Sequence, residues 1–300
     1  MLRYLWNQKM AILLLGFSLC GHASVMAETV IEKVVRTGKL TAGTSKDALP
    51  FAYRNAEGEL VGYSIDLLKL ITRQLEEEYD RDIELELVAL QPKQRIPKLI
   101  DGEVDIVCDA SSFTWKRDRQ IDFSFSYSST GTRLLTKKGN DFWDANSLID
   151  RRIGVLPKTT NAQTIRRVQP EAEVITFKDR AQAYEALRQG EIDAFASDGL
   201  LLQSWLQSID NPEDFQIQGD YSHEGIACMV PENNSQLLNS VNYTLVEFMQ
   251  GFLNDKPEYV TIFEKWFGPQ GVLPLTQDQR RLAIDNMLLL IDFKDQIIDR

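Results

Sequence analysis

The sequence is poor in the side chains that bind metals. It contains two histidines and three cysteines among 300 residues. His22 and Cys20 lie close to the N-terminus, so His223, Cys108 and Cys228 are the only other residues of these types. A structural zinc site needs a tight cluster of cysteine and histidine ligands. No metal site is therefore expected.

Positive charge is also scarce. The chain has 33 lysine and arginine residues against 44 aspartate and glutamate residues, which gives a net charge of −11. A protein that binds nucleic acid needs a basic face toward the phosphates. The excess of acidic residues argues against a nucleic-acid partner.

Long apolar runs are missing as well. The run 10–19 near the N-terminus covers ten residues, whereas a helix that spans a membrane needs ~20. Arg3 and Lys9 precede this run, and Val25-Met26-Ala27 follows it with the small residues of a cleavage site. This order is typical of a secretory signal peptide. We expect residues 1–27 to be removed after Ala27 and the mature protein to lie in the periplasm.

The loss of this segment affects the charge and the cysteines. It takes away two basic residues and no acidic one, so the mature chain is more acidic still. It leaves Cys108 and Cys228, and an even number of cysteines in an exported protein suggests a disulfide. Two buried free thiols are the alternative that the residues leave open. An uncleaved N-terminal anchor and a lipid anchor on Cys20 are the alternatives to cleavage.

Motifs of enzymes are absent too. The sequence has no glycine-rich phosphate loop, no GxSxG and no cluster of metal ligands. Pairs of carboxylates are not diagnostic in a chain with 44 acidic residues. The sequence therefore predicts a protein that is not an enzyme and needs no cofactor.

Short apolar strands alternate with amphipathic helices, which is typical of an α/β protein. Strands are predicted at 39–43, 83–90 and 104–108, and helices at 64–79, 96–100 and 237–252. The helix 64–79 has one apolar stripe, formed by Ile65, Leu68, Ile71 and Leu75.

One segment of the chain is echoed later. Leu99–Val107 has the sequence LIDGEVDIV, and Leu187–Phe195 has LRQGEIDAF, 88 positions further on. Each copy predicts the end of a helix, a glycine stop and a strand. Chance is one explanation, since such turns are common. Two lobes of related architecture are the other.

The second explanation predicts a discontinuous first lobe with a second lobe inserted into it. Strands at 133–137 and 227–230 would lead out of lobe 1 and back into it, as two hinge crossings. The predicted boundaries are 28–132 and 226–275 for lobe 1, 133–225 for lobe 2 and 276–300 for a helical extension. In the extension, an apolar stripe is expected to dock on the protein: Leu282, Met287, Leu290 and Ile297. A ligand would lie between the lobes, at strand C-termini and helix N-termini.

Several separated motifs resemble the bacterial extracellular solute-binding proteins of family 3. The motifs are Ile121-Asp-Phe-Ser after Thr114-Trp-Lys-Arg117, Leu49-Pro-Phe, Val61-Gly-Tyr-Ser-Ile-Asp, Gly102-Glu-Val-Asp and Glu264-Lys-Trp-Phe-Gly. Gly131–Gly139 (GTRLLTKKG) and Gln94-Arg-Ile-Pro resemble the glutamate/aspartate-binding branch more narrowly. The resemblance covers roughly 30–275. It implies a two-lobed periplasmic-binding-protein fold of type II, in which a central mixed sheet flanked by helices forms each lobe.

The resemblance also implies a set of residues for the backbone groups of a free amino acid. Each charged group of that ligand needs a partner of opposite charge, because burying it unpaired is costly. Arg117 suits the α-carboxylate, since a guanidinium offers two parallel donors. Asp198 matches the carboxylate that holds the α-ammonium. Four further residues are implied to line this part of the site: Ala110, Ser112, Thr159 and Thr160.

Each of these residues also has an alternative role. The alternative for Arg117 is a surface salt bridge, and that for Asp198 is a helix N-cap. The alternative for Thr159 and Thr160 is a place in a turn. The flanking motif favours ligand binding for Arg117. Both roles of Asp198 can coexist.

The side chain of the ligand is expected to be acidic. Arg95 matches an arginine that the glutamate/aspartate branch uses on the distal carboxylate. A second arginine of that branch falls at Ser45, and its histidine falls at Arg180, which we expect to restore the positive charge. Tyr63 matches an aromatic residue that packs on the ligand in relatives, with interlobe packing as the alternative. Glutamate or aspartate is the first expectation, followed by glutamine or another polar amino acid.

The resemblance implies an ABC transporter permease as partner and a monomer in solution. It also places Cys108 and Cys228 on neighbouring strands, which favours the disulfide. Two other classes of function stay open at this point. One is a dehydratase on the same scaffold, with Glu224 and Asp109 as candidate acids, and the other is a sensor without transport.

Overall fold

A computed structural model of the protein describes residues 28–298, and the side chains of residues 28–291. The predicted signal peptide, with Cys20, lies outside the described residues. Within the described part of the chain, no helix is long and apolar enough to cross a membrane.

Two five-stranded sheets form the framework. The first has the order β5-β1-β6-β13-β7 and the second the order β10-β9-β11-β8-β12. The strands of the first sheet are β1 (Lys39–Thr44), β5 (Glu84–Ala89), β6 (Ile106–Val107), β7 (Asp122–Thr130) and β13 (Glu224–Val230). Those of the second are β8 (Thr132–Lys137), β9 (Arg152–Val155), β10 (Glu173–Thr176), β11 (Ala194–Asp198) and β12 (Phe215–Gln218). A third, small sheet joins β2 (Asp47–Ala48), β3 (Ala52–Arg54) and β4 (Leu60–Val61).

The two large sheets share one design. In the first, β5, β1 and β6 are parallel and β13 is antiparallel to β6. In the second, β10, β9 and β11 are parallel and β8 is antiparallel to β11. The central strands β6 and β11 are those of the two echoed segments, and each follows a glycine with positive φ, Gly102 or Gly190. The echo therefore marks equivalent positions in two related sheets.

Helices cover both faces of each sheet. They are α1 (Val30–Thr37), α2 (Tyr63–Tyr79), α3 (Arg95–Ile100), α4 (Thr160–Val168), α5 (Arg180–Gln189), α6 (Gly199–Gln207), α7 (Ser235–Leu253), α8 (Pro257–Phe267) and α9 (Gln277–Ile298). In β8, Leu134 lies in the core cluster that contains α4 residues, and Leu135 lies in the cluster that contains residues of α5 and α6. Neighbouring residues of a strand point to opposite faces, so both faces of the second sheet are buried, as is usual where helices cross between parallel strands. We call the elements built on the first sheet lobe 1 and those built on the second sheet lobe 2.

The chain passes between the two sheets twice, side by side. Gly131 separates β7 from β8, and the segment 219–223 leads from β12 into β13. Thr132 accepts the backbone N–H of Tyr221 at 3.0 Å, and its own N–H donates to the hydroxyl of Ser222 at 2.9 Å. A Cβ at Gly131 would lie 1.8 Å from the carbonyl oxygen of Ser222. Only glycine allows the two crossings to approach this closely.

The cysteines confirm the disulfide interpretation. Cys108 and Cys228 are bonded, with their Cα atoms 4.4 Å apart and both residues fully buried. Cys108 follows β6, and Cys228 lies in the antiparallel neighbour β13 beside the Met229–Val107 pair. The bond thus joins the segment before Asp109 to the strand that begins with Glu224.

The C-terminal extension is a helix, as predicted, although its apolar stripe differs from the expected one. Met287 is buried and Leu290 packs against the core of lobe 1, but Leu282 is exposed. The side chain of Ile297 lies outside the described side chains. Ile291, which the prediction omitted, is buried instead.

Candidate functional site

Two strands of lobe 1 deliver polar side chains to the same edge of the first sheet. Ser45 follows β1, and Asp109 follows β6, two residues after the strand ends. Because β1 and β6 are parallel neighbours, their carboxyl ends meet at one edge. Both residues are fully buried, and the hydroxyl of Ser45 donates to Asp109 Oδ2 at 3.1 Å.

Arg95, the first residue of α3, completes this polar group. Its Nη2 donates to Ser45 Oγ at 2.8 Å, and its Nη1 donates to Ser111 Oγ at 3.3 Å and to the carbonyl of Ala110 at 3.4 Å. Its Nε lies 2.7 Å from Asp109 Oδ2 in an ion pair, at an angle that leaves this N–H without a hydrogen bond. The positive charge of Arg95 is therefore neutralised by the protein itself.

Arg117 has a different environment. Its Nη1 donates to the carbonyl of Ser112 at 2.7 Å, and its Nη2 donates to the carbonyl of Lys158 in lobe 2 at 3.2 Å. Burial lowers the pKa of Arg117, and the positive charge of Arg95 lowers it further. Among the described residues it forms no ion pair. Arg117 is thus a cation at the interface of the lobes whose charge has no direct partner.

The N-terminus of α4 faces this arginine from lobe 2. The hydroxyl of Thr159 caps the helix, accepting from the N–H of Ala162 at 3.2 Å and donating to the carbonyl of Leu156 at 2.8 Å. The hydroxyl of Thr160 lies 3.4 Å from that of Ser112 in lobe 1. The first N–H groups of a helix have no partner within the helix and favour an anion. The structure therefore brings Ser112, Thr160 and Arg117 together across the interface.

Asp198, the last residue of β11, lies at the same interface. It occupies the N-cap position of α6, but its side chain makes no capping hydrogen bond. Its Oδ1 accepts from Asn161 Nδ2 at 3.3 Å, and its side chain is buried. Burial and the negative charge of Glu224 raise the pKa of Asp198 to about 6, while Arg180 and Asn161 act in the opposite direction. Among the described residues no cation pairs with it directly.

Glu224, the first residue of β13, is linked to Asp198 by a chain of hydrogen bonds. Asn161 Nδ2 also donates to Thr132 Oγ1 at 3.2 Å. The hydroxyl of Ser222 donates to Glu224 Oε1 at 2.6 Å, and that of Thr132 lies 3.4 Å from the same oxygen. Glu224 Oε2 is buried and has no hydrogen-bond partner among the described residues. The sequence analysis named Glu224 only as a candidate acid, because nothing in the sequence shows that the second crossing runs beside Asp198.

Arg180 does not supply a free charge. It is the first residue of α5, it is buried, and its Nη1 forms an ion pair with Asp47 Oδ1 at 2.7 Å. Asp47 belongs to β2, whose next residue, Ala48, lies in the core of lobe 1, so this pair joins the lobes. Asp47 was not identified from the sequence, since its partner lies 133 positions away.

Tyr63 lies in the core of lobe 1 and not among the charged side chains. As the first residue of α2 it makes edge contacts with Tyr127, Phe248 and Phe267, and it is 1% exposed. Burial raises its pKa, and its hydroxyl has no partner among the described residues. It reaches the polar group through Tyr127, whose hydroxyl donates to the carbonyl of Asp109 at 2.6 Å. The expected stacking on a ligand is therefore replaced by aromatic core packing.

An open cavity of about 640 Å³ lies elsewhere on lobe 2, and none of the predicted site residues lines it. Its lining includes Lys137, Lys138, Arg188, Asp214 and Phe215. Between the lobes, the groups described above are already in contact. The convergent charges, and not the size of a cavity, mark the candidate site.

Comparisons with known proteins identify the family of the chain. Residues 40–269 match the family model of bacterial extracellular solute-binding proteins, family 3. The chain belongs to this family. It is similar to the glutamate/aspartate import solute-binding protein of Escherichia coli (strain K12), with 27% identity over 258 residues and 84% of each chain covered. It is also similar to the glutamine-binding protein of Geobacillus stearothermophilus, with 33% identity over 199 residues, 65% of this chain and 73% of that protein.

Solved structures show the same two-lobed α/β fold of type II. An ancestral arginine-binding protein bound to glutamine has a TM-score of 0.69 and 30% identity, and the match covers 77% of this chain and 98% of that one. An ancestral amino acid-binding protein, described as a precursor of cyclohexadienyl dehydratase, has a TM-score of 0.68 and 25% identity, covering 79% and 99%. This chain therefore has the fold of the family 3 solute-binding proteins to which it is similar.

Proposed function

We propose that this protein binds a free amino acid between its lobes and delivers it to an ABC importer. Lobe 1 comprises residues 28–132 and 226–275, and lobe 2 comprises residues 133–225. The protein acts in the periplasm as a monomer after the removal of residues 1–27. The relatives with transport functions support this proposal. One observation carries it: Arg117 of lobe 1 and Asp198 of lobe 2 both lie at the interface, and neither forms an ion pair with a described residue.

The chemistry of an amino acid matches these two groups. Its α-carboxylate can accept from the guanidinium of Arg117 and from the N–H groups at the start of α4. Its α-ammonium can donate to Asp198. A ligand held by both lobes favours the closed form by its differential affinity for that form. The contact of Ser112 with Thr160 supports this arrangement of the two lobes.

The side chain of the ligand determines which amino acid the protein binds. The sequence favoured glutamate or aspartate, and relatives that bind glutamate/aspartate and glutamine are both similar to this chain. An acidic side chain would have to compete with Asp109 for Arg95, or with Asp47 for Arg180. A glutamine side chain would need hydrogen bonds but no unpaired cation.

A thermal-shift screen of the twenty amino acids tests the proposal. A ligand that binds only the folded state raises its stability by RT ln(1 + [L]/Kd), ~2.7 kcal/mol at a hundredfold excess over Kd. We expect a clear rise in Tm with a small set of amino acids, confirmed by isothermal titration calorimetry. The absence of a shift with all twenty would contradict amino-acid capture.

We also propose that the protein is not an enzyme. A dehydratase needs a general acid that can approach the leaving group. Asp109 is fully buried and ion-paired with Arg95, so it is not available for that task. Glu224 has one oxygen without a partner, so the likeness to a dehydratase precursor is worth a direct assay. Turnover of prephenate or arogenate by the purified protein would contradict this part of the proposal.

A further inference from the structure

The charged side chains around the interface divide into two groups. Arg95 is paired with Asp109 and Arg180 with Asp47, so these four charges cancel within the protein. Three others form no ion pair with a described residue: Arg117, Asp198 and Glu224. They interact electrostatically with one another, because both carboxylates act on Arg117 and Glu224 acts on Asp198. The unpaired set thus has one positive and two negative charges.

The position of Glu224 explains why it belongs to the site. It lies where the second crossing enters β13, opposite Thr130 at the end of β7. Neutral hydroxyl groups hold its Oε1, and its buried Oε2 has no partner among the described residues. Burying a carboxylate oxygen without a partner is costly, so a positively charged group of a ligand would stabilise this half-buried side chain.

Asp198 and Glu224 lie at the same end of the site. The chain of hydrogen bonds from Asp198 through Asn161 and Thr132 to Glu224 fixes their relative position. An ammonium group has three N–H donors and no acceptor. It can therefore donate to two carboxylates at once, whereas Asp198 alone provides only one.

We infer that Glu224 is a specificity-determining residue: it is the second carboxylate for the α-ammonium, and its surplus negative charge selects amino acids with an uncharged or basic side chain against acidic ones. This inference rests on the proposed function. With an α-carboxylate on Arg117 and an α-ammonium on the carboxylate pair, a neutral ligand leaves one surplus negative charge. A glutamate side chain would add another where the cations Arg95 and Arg180 are already paired. A basic side chain would remove the surplus.

Calorimetric titration of the full mature chain with glutamine, arginine and glutamate at one pH tests the ranking. We expect glutamate to bind at least tenfold more weakly than the better of the other two. Equal or tighter binding of glutamate by the wild type would overturn the inference without the use of any variant. Binding of none of the twenty amino acids would instead overturn the proposed function.

The variant Glu224→Gln tests the residue itself. It keeps an oxygen for Ser222 and Thr132 but removes the charge. We expect it to weaken the preferred ligand about tenfold or more, and to raise the affinity for glutamate relative to that ligand. The matched control is Glu232→Gln, at an exposed position after β13, which should change neither value.

A deaminated ligand separates a role in binding the ammonium from a merely structural role. For the wild type, the preferred amino acid should bind far better than its analogue without the α-amino group. In Glu224→Gln this difference should shrink. An unchanged difference, or an unchanged ratio of glutamate to the preferred ligand in a folded Glu224→Gln protein, would overturn the inference. The Tm of the ligand-free variant establishes that it is folded.

Discussion

At the scale of single residues, Arg95 and Arg117 show how surroundings decide the role of a side chain. Arg95 donates to Ser45 and is ion-paired with Asp109. Arg117 donates only to backbone carbonyls, one in each lobe. The sequence motifs identified both residues, but a motif contains no information on which carboxylate will lie beside which guanidinium. That depends on contacts between segments far apart in the chain.

We expect Arg117→Ala to weaken the binding of every amino acid strongly. Removing one partner of a buried, hydrogen-bonded charge pair costs about 2–5 kcal/mol, which is roughly 30-fold or more in Kd. Isothermal titration with the preferred ligand measures the loss. Arg119→Ala is the matched control, because Arg119 is exposed in the same segment. Retained affinity in a folded Arg117→Ala protein would be inconsistent with the proposed site.

The affinity should depend on pH through Asp198. Burial, and then the negative charge of Glu224, raise its pKa to about 6, while Arg180, Asn161 and Arg95 act in the opposite direction. Below this value the carboxyl group is protonated and offers no charge to an ammonium, so affinity falls as pH falls. Because the ligand favours the ionised form, binding near pH 6 releases a proton.

For this reason we expect binding at pH 5 to be roughly tenfold weaker than at pH 7. Titrations at several pH values, in buffers of different ionisation enthalpy, measure the affinity and the released proton. Asp198→Asn should bind weakly and lose most of the dependence. An affinity that is flat from pH 5 to pH 7 would argue against an ionised Asp198 in the complex.

At the scale of elements, local patterns identified several of the helices and strands. The helix predicted at 64–79 is α2, and the strand predicted at 39–43 is β1, with boundaries that differ by one residue. In the structure, the strand predicted at 104–108 spans only Ile106–Val107. Its apolar residues are buried as expected, but few of them pair with a neighbouring strand. Hydrophobic periodicity indicates burial, whereas pairing depends on the neighbouring chain.

Helix α9 provides a test of packing at this scale. Met287 is 4% exposed and belongs to the core of lobe 1, whereas Leu289 is 71% exposed on the same helix. Met287→Ala should lower the free energy of unfolding by about 2–4 kcal/mol. Leu289→Ala should change it by about 0.5 kcal/mol or less. Urea unfolding compares the two, and equal effects would show that α9 is not docked as described.

At the scale of the whole molecule, polar contacts join the two lobes. The ion pair between Arg180 and Asp47 is one, and the contact between Ser112 and Thr160 is another. The two crossings at Gly131 and Ser222 are the points about which the lobes could move. The balance between open and closed forms then depends on a few polar contacts, and a ligand adds to the closed side.

We expect Asp47→Asn to shift the ligand-free protein toward the open form. A half-buried ion pair contributes about 1 kcal/mol, roughly fivefold in the ratio of the two forms. Small-angle scattering should give a larger radius of gyration for the ligand-free variant than for the wild type, and the same value for both with saturating ligand. Asp210→Asn, at an exposed position of lobe 2, is the control. Identical ligand-free radii for Asp47→Asn and wild type would show that this pair does not hold the lobes together.

The sequence by itself determined the α/β class, the two related halves and the motifs of the family. These features depend on short stretches of chain, because strand alternation, the apolar stripes of helices and glycine stops each extend over a few residues. The resemblance also favoured the pairing of Cys108 with Cys228, since it places both on neighbouring strands.

Only the tertiary structure decided which charges are free. Arg180 meets Asp47 across the interface, Arg95 meets Asp109, and Tyr63 packs in the core of lobe 1. Glu224 lies near Asp198 because the second crossing runs next to the first. Electrostatic interactions act through space between residues that are distant in sequence. The balance of charge in the site is therefore a property of the folded molecule and not of any segment.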